Sequence, residues 1–296
     1  MGSLNDAGLS VQMNDTGGKE SRAVARHFGG AARTYDAHAA VQLSAARALL
    51  AMLPEELAPA HALDLGAGTA PMARRLCARF PETRWLGLDL ALPMLEEAGA
   101  RGRLDSHYRA VCADATCLPL AAESVDLVYS SFALQWCRDL APLATELTRV
   151  CRPGAVFALC VPLPGTLQEL RDSWAVADAH AHVNPFHPLE AWQAAFQAQG
   201  WQVDAQHAWQ VREHYPDVRA ISTMLKATGA HHVFQAGPRG LTGRRRLHAM
   251  RAAYESRRTD AGLPLSWQIG QLLMGRGLDV GCRVSDVGRR TSDAKS

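Results

Sequence analysis

At 296 residues, 48% hydrophobic and 20% charged, the chain has ordinary globular composition with ample apolar side chains for a core, which excludes a disordered tail or a coiled coil. A net charge of +2 makes no general claim on nucleic acid, so what matters is where charge clusters. The leading residues lack the apolar stretch of a secretory signal, no uncharged run approaches the roughly 18 residues of a membrane span, and seven cysteines are scattered without CxxC pairing. The expectation is a cytoplasmic protein with reduced thiols, no disulfide, no metal, and neither membrane nor nucleic acid as partner.

Residues 1–20 are polar, glycine-rich and aperiodic, and so are residues 276–296; both read as disordered extensions around one domain at 21–275. "RHFGGAARTYDAHAAVQLSAARALLAML" places Val41, Ala45, Ala48, Leu49 and Met52 at helical spacing and predicts one or two leading helices that end before Pro54. From His61, short apolar runs alternate with helical segments: strands over 61–66, 84–89, 107–112, 125–130 and 154–161, helices over 70–79, 92–100 and 139–150. Such alternation predicts an α/β fold, a mostly parallel sheet with helices on both faces and right-handed connections. After Pro164 it lapses into an added helical flap, about 165–260. Helices are predicted there over 167–180, within "HPLEAWQAAFQAQGW", near 217–228 and, rich in arginine, near 243–257, with strands at "WQVDAQHAWQV" and near 265–274.

The stretch "ALDLGAGTAPMARRL", residues 62–76, joins a strand to a helix through Gly66 and Gly68. A dinucleotide-binding turn wants G-x-G-x-x-G and an acid about 20 residues further on for the ribose. Gly66, Gly68 and Asp89 fit that pattern, but Pro71 takes the third glycine position and Asp64 sits two residues before the first. A carboxylate there is a poor neighbour for a pyrophosphate and a good one for a cation; S-adenosylmethionine carries both a sulfonium and an ammonium. Taken singly, the glycines also suit a plain tight turn, Asp89 a helix N-cap, and Asp114 an ordinary loop acid.

"LDLGAGTA" resembles the first motif of the class I S-adenosylmethionine-dependent methyltransferases, and three further segments match in order over residues 60–165. The resemblance implies a Rossmann-like, mostly parallel seven-stranded sheet flanked by helices, with S-adenosyl-L-homocysteine as product. It assigns Asp64, Gly66 and Gly68 to the donor, Asp89 in "GLDL" to both ribose hydroxyls with Leu90 beside it, and Asp114 in "CADATCLPL" to the adenine amino group. Ala115 lends a backbone N–H, and "VDLVYSSFALQW" is the strand, ending at Ser130, that faces the methyl donor. The family motif often has glycine where this chain has Ala70 and cysteine or similar at Ala67; alanine tolerates positive φ poorly, so the turn is expected to differ locally.

Outside that core, "FGGAARTYDAHAAVQ", "SSFALQWCRDL", "PGTLQELRDSWAVAD", "HVNPFHPLE", "LKATGAHH" and "LTGRRRLHAMRAAY" are similar to the malonyl-acyl carrier protein O-methyltransferases of biotin synthesis, over roughly residues 24–275. This likeness implies methylation of the free carboxylate of a malonyl thioester, on acyl carrier protein or on coenzyme A. A desolvated acceptor carboxylate calls for a cation beside it. Arg149 comes first and Lys226 second, with His231 and His232 also candidates and with Tyr35 and Gln135 completing the pocket by hydrogen bonds. Arg149 could equally cap its helix and Lys226 be a solvated side chain. Phe132 and Trp136 either shape the pocket or belong to the core, and the leading helix with Tyr35 is a candidate lid.

In "RGLTGRRRLHAMRAAYESRR", Arg239, Arg244, Arg245, Arg246, Arg251, Arg257 and Arg258 stand against Glu255 alone, and Leu247, Met250 and Tyr254 share one helical face. Arg244, Arg245, Arg246 and Arg251 form a candidate landing surface for an acidic carrier protein; a solvated face and phosphate contact with nucleic acid are the other readings. Two functional alternatives stay open: a methyltransferase for another small molecule, such as a quinone precursor or carboxylic acid, and a non-catalytic S-adenosylmethionine- or RNA-binding scaffold. Asp64 and Pro71 disfavour an NAD-binding oxidoreductase.

Overall fold

The computed structural model describes residues 9–11, 18–230 and 243–277. Among these residues eight strands, β1 (Leu9–Val11), β2 (His61–Leu65), β3 (Arg84–Asp89), β4 (Tyr108–Cys112), β5 (Val125–Ser131), β6 (Cys151–Pro162), β7 (Trp201–Tyr215) and β8 (Leu263–Arg276), form one sheet in the order β1-β4-β3-β2-β5-β6-β8-β7. The first six pair in parallel, whereas β8 runs antiparallel to both β6 and β7. From β2 to β8 this is the expected mostly parallel seven-stranded sheet. Its eighth member comes from the segment read as a disordered extension: Leu9–Val11 pair with Ala110–Cys112. Three residues on a main-chain ladder leave no periodicity for a sequence to show.

Among the described residues, ten α-helices alternate with these strands or precede them: α1 (Lys19–Ala31), α2 (Tyr35–His38), α3 (Ala40–Met52), α4 (Ala73–Arg79), α5 (Leu92–Ala100), α6 (Leu140–Val150), α7 (Gln168–Ala175), α8 (Leu189–Gln197), α9 (Val218–Ala227) and α10 (Arg244–Glu255). Strand parity sorts the core into two layers. Ala62, Leu127 and Tyr129 face a cluster built from α3, α4, α9 and α10, including Leu49, Leu76, Ile221 and Tyr254. Leu63, Leu65 and Val128 face α6 and α8 through Leu143, Leu147, Trp192 and Phe196. A fully buried leucine such as Leu49 or Leu143 contributes about 2 kcal/mol. Asp139 and Asp217 start α6 and α9 by accepting from Ala141 N at 3.0 Å and Ala220 N at 2.7 Å, caps of about 1 kcal/mol each.

The two strands expected in and beyond the flap are present, each longer than read from sequence: β7 and β8 form a long antiparallel ribbon from Trp201 opposite Arg276 to Tyr215 opposite Leu263. β8, with neighbours on both sides, is buried along nearly its whole length, while β7 closes the sheet as an exposed edge. Against this ribbon α10 docks the apolar side foreseen for it: Met250 and Tyr254 are buried, and the Tyr254 hydroxyl donates to Pro264 O at 2.9 Å. Among the described residues no helix is long and apolar enough to cross a membrane.

Candidate active site

Parallel pairing brings the C-terminal ends of β2, β3, β4 and β5 side by side, and a cavity of about 580 Å³ opens there beneath α1, α2 and α3. Its floor is the turn after β2. Gly66 and Gly68 adopt φ of 78° and 56°, and a Cβ on Gly66 would lie 1.9 Å from the Ala133 Cβ, so only glycine fits. Ala70 takes the left-handed conformation as well, at φ 51°, a cost of about 1 kcal/mol.

The turn's amides point inward. Gly66 N and Ala67 N both donate to Leu88 O, at 2.7 and 2.9 Å, Gly68 N donates to Asp89 Oδ2 at 2.8 Å, and Ala70 N donates to Ala67 O at 2.8 Å. A pyrophosphate cradle needs such amides free for the ligand. Here they are spent on the protein, and what the turn offers instead is close backbone approach beside carboxylates.

Asp64 is 5% exposed on β2 and accepts from the Tyr108 hydroxyl at 2.5 Å through Oδ2. Burial pushes its carboxyl up to about 7; the Tyr108 hydrogen bond opposes the shift and the charge of Asp89 adds to it. Asp89 is also shifted upward by burial, against the hydrogen bonds it accepts from Ala91 N and Gly68 N. Two desolvated acids on one wall disfavour a phosphate and favour a cation. Further round, Asp114 accepts from Thr116 N and Oγ1 at 2.9 and 2.7 Å, which fixes the loop carrying Asp114 and Ala115 against the cavity.

The roof is tied to the floor through Asp36. Its Oδ1 accepts from Thr69 Oγ1 at 2.5 Å and its Oδ2 from Arg101 Nη1 and Arg103 Nη2 at 2.8 and 2.6 Å, while Arg103 Nη1 donates to Thr69 O at 2.7 Å. Beside it, Tyr35 lines the cavity, and burial together with the charges of Asp89 and Asp36 pushes its phenol well upward, so it remains a donor at neutral pH. Phe28 completes the cover, edge-on to Trp136 with ring centroids 5.3 Å apart.

Residues 63–159 match the family model described as a methyltransferase domain. A malonyl-acyl carrier protein O-methyltransferase from Alcanivorax borkumensis is 50% identical over 248 residues, 83% of this chain and 83% of the relative. The chain belongs to the malonyl-acyl carrier protein O-methyltransferase family. A second relative of that name, from Methylococcus capsulatus, is 39% identical over 79% of this chain and 86% of its own. Among solved structures, the YcgJ protein from Bacillus subtilis superposes with a TM-score of 0.55 at 19% identity, over 79% of this chain and 99% of that one, a likeness of fold.

Of the residues assigned to the donor, Asp64, Gly66, Gly68, Asp89, Leu90, Asp114 and Ala115 all line the cavity, and so does Tyr35 from the acceptor-side set. Ser130 does not. Asp64 pairs in register with Tyr129, so Tyr129 and Ser131 share the cavity face, and Ser130 points away to donate to Leu65 O at 2.7 Å. The acceptor-side assignments fare differently. Arg149 is outside the lining; it is bound to Glu146 at 2.7 Å and to the carbonyls of Leu118 and Leu120, which it holds against α6. Lys226 is exposed at the end of α9, and Gln135 turns back to donate to Phe132 O at 2.8 Å; neither lines the cavity. His231, His232 and Arg239 lie outside the described residues.

The lining cations are Arg103 and Arg138, and sequence reasoning missed both, together with Asp36 and Gln42. Asp36 had a signal, its place next to Tyr35 in "TYDAH". Arg103 had none, since it reaches the cavity from an irregular segment after α5.

Proposed function

We infer that this protein transfers the methyl group of S-adenosylmethionine to the free carboxylate of a malonyl group held as a thioester on acyl carrier protein, giving the malonyl methyl ester for biotin synthesis. The observation that carries this reading is the 50% identity, over 83% of both chains, to a relative of that name. The cavity fits the donor in chemistry as well as in size: the buried Asp64 and the half-buried Asp89 face a space of about 580 Å³, within the usual range for small-molecule sites of about 300 to 1,000 Å³.

Bound in that cavity, S-adenosylmethionine supplies an electrophilic methyl group on a sulfonium. A carboxylate acceptor, with a pKa of about 4, is already anionic at neutral pH and needs no general base. What remains for the protein is to line up the acceptor oxygen and exclude water. The roof of α1, α2 and α3 does the excluding. Tyr35 donates one hydrogen bond to one acceptor oxygen, which positions the carboxylate and leaves a lone pair for attack. Arg149 and Lys226 have no part in this step from where they stand, and Gln135 acts only through the loop that it braces.

The carrier docks on α10, where Arg244, Arg245, Arg246 and Arg251 are exposed along a helix whose apolar side is fixed to the fold. Opposite charge raises the encounter rate with an acidic partner and orients it. The test is transfer of labelled methyl to malonyl-acyl carrier protein, with malonyl-coenzyme A and the succinyl thioester alongside. Fast formation of a base-labile ester on the malonyl carrier supports the reading; labelling of the succinyl thioester at an equal rate, or no labelling by protein that binds the donor, overturns it.

A further inference from the structure

One residue outside the cavity lining reaches an acid that the cavity presents. Tyr108, on β4, is two strands away from Asp64, with β3 between them. Its ring reaches across because Gly87, the β3 residue that pairs with Asp64, has no side chain: a Cβ there would stand 2.8 Å from Tyr108 Cε1 and 2.9 Å from the hydroxyl oxygen. The hydroxyl arrives 2.5 Å from Asp64 Oδ2. Tyr108 is 1% exposed, so neither partner has bulk water as an alternative. A glycine, a tyrosine and an aspartate on three adjacent strands thus make one contact at the head of the cavity, and none of the motifs that mark this cavity in the sequence includes the tyrosine.

We propose that Tyr108 is a positioning residue for the methyl donor: through the gap at Gly87 its hydroxyl holds one oxygen of Asp64 and keeps that side chain a correctly aimed carboxylate for the donor's cationic end. This rests on the reading of Asp64 as the acid that meets the donor. The groups facing Asp64 are Tyr108 from β4, Asp89 from β3, Tyr129 from β5 and Cys77 from α4. Burial and Asp89 favour the protonated acid, and only the Tyr108 hydrogen bond favours the charged one. Tyr129 gives its own proton to Ala46 O at 2.5 Å and is not available to replace it.

The test is donor affinity by titration calorimetry from pH 6.5 to 9 on the full chain, for wild type, Tyr108→Phe and Asp64→Asn. Taking the variant-to-wild-type ratio at each pH cancels the titration of the ligand's own amino group. Loss of a hydrogen bond to the charged form raises the acid's pKa, by about one unit for a single neutral donor. Tyr108→Phe should therefore bind about five- to tenfold more weakly at pH 6.5 to 7 and within about twofold of wild type by pH 9. A deficit equal at every pH marks a packing role and overturns the proposal, as does no deficit at all. Gly87→Ala, which displaces the Tyr108 ring without removing its hydroxyl, should show the same pH-dependent loss. Asp64→Asn separates the two readings: it should bind weakly at all pH values, and wild-type affinity in that variant would remove the role of Asp64 itself, whatever Tyr108→Phe does.

Discussion

The part of the cavity assigned to the donor and the part proposed for the acceptor are built in different ways. The donor half is assembled by strand ends and the turns that follow them: the left-handed glycines after β2, Asp89 at the end of β3, the Asp114 loop after β4. Each residue there is placed by main-chain geometry within a few positions of its motif. The acceptor half is roofed by α1 to α3 and flanked by a flap whose parts come from residues far apart in sequence, as when Thr34 Oγ1 of the roof donates to Ala227 O of α9 at 3.2 Å. Local geometry makes a ligand site readable in sequence, and long-range packing conceals one.

The sharpest way to break the donor half is Gly66→Ala. Its added methyl meets Ala133 Cβ at 1.9 Å in a residue already at φ 78°. Stability should fall by about 3 kcal/mol and donor binding should be lost, as read by thermal denaturation with and without donor. Next comes the roof. Asp36→Ala removes the acceptor for Thr69, Arg101 and Arg103 at once, and donor affinity should weaken about tenfold with the fold intact, because partly exposed charged contacts are worth little to overall stability. Full affinity in that variant would mean that the roof closes without this tie.

The smallest effect should come from Arg149→Ala. It braces the 118–120 loop from outside the cavity, so stability should drop by at most about 1 kcal/mol, with the KM for the malonyl substrate unchanged. A KM raised severalfold would return Arg149 to the acceptor site and blur the division between the two halves.

How much the sequence disclosed follows the same division. The order and bounds of β2 to β6 were legible because buried parallel strands read as apolar runs between turn residues. The bounds of α10 and its buried face were legible from Leu247, Met250 and Tyr254. Ser130 was misplaced by one residue, since parity at a strand end is fixed by the register with Asp64 on β2 and not by the strand's own composition. Arg149 was read as an acceptor cation or a helix cap; its partner Glu146 lies one helical turn before it, an i,i+3 spacing present in the sequence. Arg103 and Tyr108 gave no local signal, because each reaches its partner across elements that only the folded sheet brings together.

The division itself is tested most directly by charge reversal on α10, in Arg244→Glu with Arg251→Glu, two exposed positions on one helical face. Methyl transfer to malonyl-acyl carrier protein would be followed as a function of salt, with donor affinity measured on the same samples. The account expects kcat/KM for the carrier substrate to fall about tenfold and to lose most of its salt dependence, while kcat and donor affinity hold. An unchanged kcat/KM, or a loss of donor affinity in step with it, would contradict a carrier-docking flap set apart from the donor site.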